Sequence, residues 1–346
     1  MLKQGIISVA LRGLTLASKF VLLMYLVRYF SAETVGVYGL IAVTISISIY
    51  LLGVDFYVFS TREILGQSGY RLPTLIRDQA VLHGIAYALV LPAMLGLFAI
   101  DLIGWRYAVW FYGILVLEHV SQEAYRLLVA LSRPARANLI LFLRSGAWVY
   151  VIVGCGVTSG DFRSMSFIWA GWLTGAAASI VVAVYSLRSY RWLSALKEPP
   201  DWSWIRTGVK VSLPFLVASL SLIAVQFFDR YAIAYFRGEA QLGIYTFYAQ
   251  IANTVQLLIT TGVTGVIYPR LITAFQRLDQ RSFRTHFRNL TIGVVAGTVV
   301  VCSIIAIAMP AVLTVLSRPL RHRTSRVKPW LVPRAAKARN GSSPDR

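Results

Sequence analysis

The chain has 346 residues, 57% of them hydrophobic and 14% charged, and a formal net charge of +20. A mean hydropathy of +0.65 excludes an ordinary soluble domain. Two cysteines, Cys155 and Cys302, both inside apolar runs, leave no disulfide framework and no metal-ligand spacing.

Only a helix satisfies its own backbone polar groups in lipid, so long apolar runs read as spanning helices. Nine such runs fall at roughly 5–28, 34–60, 79–100, 106–130, 137–159, 165–188, 207–228, 241–268 and 289–312. The first carries Arg12 and Lys19 and has no small-residue cleavage site after it, so it reads as a span and not as a cleaved leader. Within it Ser8, Arg12, Thr15 and Lys19 follow i, i+4, i+7, i+11, one stripe on one helical face. An ionised side chain at mid-membrane costs roughly 2.5–3.5 kcal/mol. Two on one stripe predict a wet cationic wall, unless each reaches a headgroup at the membrane surface.

Ser31 and Glu33 then form a short polar break, an N-cap and a first-turn carboxylate for the second run. Asp55 lies near that run's inner end. His83 stands alone in the third run and reads as a packed or hydrogen-bonded side chain. The fourth carries Glu118, His119 and Glu123, with His119 and Glu123 one turn apart. That spacing suits a proton relay, or equally an ion-paired helix end beside Arg126. In the sixth run Gly171 and Gly175 read as a small-xxx-small packing contact.

Lys197-Glu198-Pro199-Pro200-Asp201-Trp202 is the most polar internal segment and reads as a linker. The expected organisation is a six-helix lobe over 1–190, a linker over 191–206, a partial three-helix lobe over 207–317, and a basic tail over 318–346. In the seventh run Ser212, Ser219 and Gln226 form an uncharged stripe, closed by Asp229-Arg230. The eighth run carries Gln250, Asn253, Thr260 and Thr264, suited to sugar hydroxyls or to interhelical hydrogen bonds.

Two junctions are near copies. Tyr29-Phe30-x-x-Glu33 with Gly36-x-Tyr38 recurs, 206 residues later, as Tyr235-Phe236-x-x-Glu239 with Gly243-x-Tyr245. Twice that interval exceeds 346 residues, so the second copy is expected to be incomplete. Six-helix copies run the same way through the membrane, a parallel repeat with its site between the halves.

Charge distribution sets orientation. Alternate breaks hold Arg62, Arg71, Arg77; Arg126, Arg133, Arg136, Arg144; Arg188, Arg191, Lys197, Arg206, Lys210; and Arg270, Arg277, Arg281, Arg284, Arg288. The opposite breaks hold Arg28, Arg106, Arg163, Arg230 and Arg237. This asymmetry predicts a cytoplasmic N-terminus, and it assigns the basic residues to topology and anionic lipid, not to nucleic acid. No Walker loop, His-Glu-x-x-His, Gly-x-Ser-x-Gly or large outer loop occurs, so no enzyme, cofactor or metal is expected.

The segment Arg28-Tyr29-Phe30-Ser31-Ala32-Glu33-Thr34-Val35-Gly36-Val37-Tyr38 resembles the first-half junction of polysaccharide flippases. Asp229-Arg230 with Tyr235-Phe236 and Gly243-Ile244-Tyr245 resembles their second-half junction, and Tyr268-Pro269-Arg270-Leu271 the end of their eighth helix. These are O-antigen and exopolysaccharide flippases of the multidrug/oligosaccharidyl-lipid/polysaccharide superfamily. The resemblance covers roughly residues 1–317. It implies an all-α polytopic membrane protein of two related bundles, with the second truncated after the ninth helix.

It also implies movement of an undecaprenyl-diphosphate-linked oligosaccharide across the bacterial inner membrane by alternating access. Polysaccharide polymerase, chain-length proteins and membrane lipids are the implied partners. On that expectation Arg12, Lys19 and Arg144 meet the diphosphate, and Gln226, Gln250 and Asn253 the sugars. Asp55, Glu118, His119, Glu123 and Asp229 are the candidates for proton or ion coupling. The competing expectations are a cation-coupled multidrug exporter of the same fold and an inactive truncated fragment.

Overall fold

The computed structural model describes residues 2–66, 71–190 and 192–317. Among them every regular element is helical: α1 (Leu2–Tyr29), α2 (Ala32–Gly53), α3 (Tyr57–Gly66), α4 (Leu72–Ala99), α5 (Ala108–Ala130), α6 (Pro134–Phe142), α7 (Trp148–Thr158), α8 (Met165–Leu187), α9 (Trp192–Lys197), α10 (Trp202–Ile259), α11 (Gly265–Gln276) and α12 (Gln280–Ser317). Seven segments among the described residues are long and apolar enough to cross a membrane. The chain is an all-α polytopic membrane protein. α5 is not one of the seven, because Glu118, His119, Gln122, Glu123 and Arg126 lower its hydropathy. The expected basic tail, 318–346, lies outside the described residues.

The chain divides into two compact units, Met1–Tyr25 with Glu33–Gly243, and Leu26–Ala32 with Ile244 onward. In the first, one core joins Ile41 and Leu52 of α2, Phe98 of α4, Phe111 of α5, Trp169 of α8 and Leu242 of α10. Lipid removes most of the hydrophobic drive between membrane helices, so close contact and hydrogen bonds hold such a core. Hence the small residues of α8 matter. A Cβ on Gly171 would strike Ile152, and one on Gly175 would strike Trp148 and the Leu143 carbonyl.

The repeated junctions meet in space. A Cβ on Gly36 would collide with the Glu239 carbonyl and crowd the Gly243 nitrogen. The glycine of the first copy thus seats directly on the backbone of the second. At the second junction α10 is broken: Gly238, with φ 79° and ψ 171°, is non-helical and kinks it into two helical segments, a backbone conformation that costs glycine little.

α2 stops sooner than its apolar pattern predicts. The second run was expected to continue to about residue 60, but Val54 and Asp55 take φ values of 51° and 47°. Consecutive left-handed residues, one of them β-branched, cost on the order of 1–3 kcal/mol each. The chain re-enters helix as α3, with Phe56 buried against Leu82 and Ile205 and Trp204 edge-on to its ring at 5.2 Å.

The second unit has its own contacts. Cβ atoms on Gly293 and Gly297 of α12 would meet Val263 and Ile259. Asp279 precedes α12 and accepts a hydrogen bond from the Ser282 amide at 3.0 Å, in N-cap fashion. The hydrogen bonds from Ser282 hold its carboxyl below the ordinary value of 3.8.

Candidate functional site

α5 is the polar spine of the first unit, and its side chains sort onto two faces. Glu118 and Tyr125, seven residues apart, turn toward α1 and the α6–α7 segment. His119, Glu123 and Arg126 turn toward α3 and α4. Helical periodicity dictates this division.

On the first face, Arg12 of α1 donates from Nε to Asn138 Oδ1 at 2.9 Å and from Nη2 to the Tyr125 hydroxyl at 3.4 Å. Thr15 and Ser18 are buried, and Ser18 donates to the Ser145 carbonyl at 3.2 Å. The polar stripe of α1 therefore contacts the bundle through Arg12. Lys19 is solvent-accessible and lies within electrostatic reach of both Arg144 and Glu118.

Arg144 sits in a π-helical turn, Leu143–Ala147, between α6 and α7. π-bulges insert an extra residue into the turn and re-aim side chains, often at functional sites. Here Arg144 is buried and pairs with Glu118 Oε2 at a long 3.4 Å, while Trp172 Nε1 donates to Glu118 Oε1 at 2.6 Å. Arg144 Nε has no protein partner. The Glu118 carboxylate is thus held more closely by the indole than by the guanidinium. Two cations, Lys19 and Arg144, lie within reach of that carboxylate, and Arg12 stands on the same face of α5 through Asn138 and Tyr125.

The second face is compensated. Arg126 pairs with Glu123 at 2.5 Å and stacks over the Tyr57 ring at 3.8 Å, and Gln79 donates to the other Glu123 oxygen at 2.8 Å. His119 Nδ1 and the Tyr87 hydroxyl share a hydrogen bond of 2.7 Å. His83, which the sequence left isolated, lies edge-on to His119 at 4.7 Å between ring centroids. Asp55, on the left-handed break after α2, is buried, with Oδ2 unpartnered. A Cβ on Gly53 would come within 3.5 Å of His119, Glu123 and Arg126 together.

The remaining expected residues all lie on α10. Gln226 is exposed on α10. Gln250 and Asn253 are half-buried and belong to the second unit. Asp229 accepts from the Arg230 amide at 2.8 Å. Among the described residues no group of three or more His, Cys, Asp or Glu side chains is placed to hold a metal ion.

Sequence reasoning missed three parts of this arrangement. His83 pairs with His119 across two helices, Tyr125 holds Arg12, and Trp172 holds Glu118. Trp172 follows Gly171, and only the glycine was singled out in the sequence. The stripe 118, 121, 125 on α5 was the available signal for Tyr125. Nothing local pointed to Trp172.

No curated protein and no solved structure matches the chain. A family model described as polysaccharide biosynthesis protein matches residues 1–275, a stretch that contains both faces of α5, the π-turn bearing Arg144 and both repeated junctions. With most of its length so matched, this multi-pass membrane chain belongs to the polysaccharide biosynthesis protein family.

Proposed function

We propose that the chain is a flippase that moves an oligosaccharide, carried on a polyprenyl diphosphate, across the bacterial inner membrane by alternating access. The observation that carries this reading is the uncompensated first face of α5. Lys19 and Arg144 lie within electrostatic reach of a single carboxylate, itself bound to Trp172, and Arg12 adds a third cation to the same face through Asn138 and Tyr125. Each ionised group costs free energy in the bilayer unless it meets water or a counter-charge. A diphosphate supplies that counter-charge through charge-assisted hydrogen bonds.

Glu118 then has a definite part. While no anion is present it partly neutralises Arg144, and an arriving phosphate competes with it for the guanidinium. The sugars pass Gln226, Gln250 and Asn253, and the prenyl chain stays in lipid. With the N-terminus in the cytoplasm, the face opens to the compartment where the carrier lipid is loaded. Cation-coupled multidrug export, the same-fold alternative, calls for carboxylates to carry the coupling ion, and this face has cations in excess.

Complementation tests the proposal. Arg12→Ala combined with Lys19→Ala is expected to abolish rescue of a flippase-deficient strain at unchanged membrane abundance. Full rescue by the double variant removes these cations from the cargo path.

A further inference from the structure

A cavity of about 690 Å³ lies between α3, α4, α5 and α8, away from the cationic face. Its volume falls in the range of small-molecule sites. Ile64, Ile76, Val120, Leu127, Ile180 and Val184 make its walls, and the compensated face of α5 forms its floor.

Although that floor is built from polar residues, it offers little to a polar ligand. Glu123, Arg126 and Gln79 are bonded to one another. The Nε2 atoms of His83 and His119 have no partner and no solvent access. What the cavity presents is chiefly carbon. Val120 and Val184 are at once cavity wall and exposed surface, and Val181 and Tyr185 are exposed beside them on α8. On a membrane-spanning helix, exposed valines face lipid, so the cavity opens sideways into the bilayer.

Its rim has one sign of charge. Arg188, at the C-terminal end of α8, lines the cavity and is exposed, with its guanidinium 4.1 Å from the Tyr185 ring. Trp192 lines the same rim, its indole nitrogen donating to the Leu187 carbonyl at 2.9 Å. Tryptophan and arginine at a helix end are the residues that settle at a headgroup layer.

We propose that this cavity binds one acyl chain of an anionic phospholipid, with the headgroup held at Arg188 and Trp192. The apolar walls take the chain, the lateral opening lets it enter from the leaflet, and the positive rim selects a negative headgroup. The site is separate from the cationic face, so it stands whether or not the cargo is a diphosphate lipid.

The test is photocrosslinking of the purified full chain in vesicles of phosphatidylcholine and phosphatidylglycerol. A tail diazirine is carried on one lipid or the other, and adducts are mapped by mass spectrometry. Phosphatidylglycerol is expected to label Val120, Ile180 and Val184 more than phosphatidylcholine does. Arg188→Ala is expected to reduce that preference about fivefold, equivalent to the ~1 kcal/mol that one basic residue contributes at an anionic surface. Val184→Trp blocks the mouth and is expected to remove these adducts. Val181→Trp, equally exposed on the same helix but outside the lining, is expected to leave them. Equal labelling by both lipids, or equal loss in the two tryptophan variants, overturns the proposal. Displacement of phosphatidylglycerol by added undecaprenyl phosphate overturns it in favour of a prenyl chain.

Discussion

The two polar faces of α5 use the same residue types to opposite effect. Toward α3 and α4, charges are matched locally: Arg126 has Glu123 three residues away and the Tyr57 ring beneath it. Toward α1 and the π-turn, three cations stand on a face with one carboxylate, within reach of Lys19 and Arg144, and that carboxylate lies nearer to an indole than to the Arg144 guanidinium. Charges matched within the fold are scaffold. Charges left unmatched are available to a ligand. The comparison therefore assigns work by local neutrality and not by the mere presence of ionisable groups.

The largest expected effect comes from breaking the one pair on the unmatched face. Arg144→Ala strands a buried carboxylate, which costs about 3–5 kcal/mol when a buried pair loses one member. The thermal unfolding midpoint in detergent is expected to fall sharply. Adding Glu118→Gln removes the stranded charge and is expected to recover most of the midpoint, while transport stays lost. Recovery of transport along with stability would make Arg144 scaffold and erase the contrast between the faces.

Glu123→Gln probes the matched face. It leaves Arg126 without its counter-charge, and hydrogen bonds to charged groups contribute about 1.5–3 kcal/mol. Stability is expected to drop by that order while the variant that folds still transports. His119→Phe removes the bond to Tyr87 and is expected to cost about 1 kcal/mol, again with transport retained. Normal stability with abolished transport in either variant would move His119 or Glu123 from scaffold to energy coupling.

Much of this was readable before the fold was seen. The spans of α1, α8 and α12 follow from hydropathy alone, and the stripe Ser8, Arg12, Thr15, Lys19 follows from the helical period. The polar content of α5 was equally plain, although which residue faces which neighbour was not. That requires the rotation of α5 against α4, which is why His83 and His119, 36 positions apart in sequence, could not be paired in advance.

Two backbone features had no sequence signal. Valine is among the residues least suited to a left-handed turn, so the break at Val54–Asp55 ran against local preference. Tertiary contacts hold it instead: Phe56 is fully buried, and Gly53 lies beneath His119, Glu123 and Arg126. The π-turn at Leu143–Ala147 contains Ser145-Gly146, a pair that loosens a helix without specifying a π-turn. Its Arg144 is fixed by partners on α5, 26 positions earlier. At Gly238 the reverse holds: a break was expected there, and the helix does break, at a glycine that suits the conformation.

The central claim is that the unmatched cations of α1 and the π-turn recognise a diphosphate. Equilibrium binding of undecaprenyl diphosphate and undecaprenyl monophosphate to the purified chain, with and without Arg12→Ala and Lys19→Ala, tests it most directly. The native chain is expected to prefer the diphosphate by about tenfold or more, since one charge-assisted hydrogen bond contributes roughly 1.5–3 kcal/mol. The double variant is expected to lose that preference. Equal binding of both lipids by the native chain, or an undiminished preference in the variant, contradicts the claim.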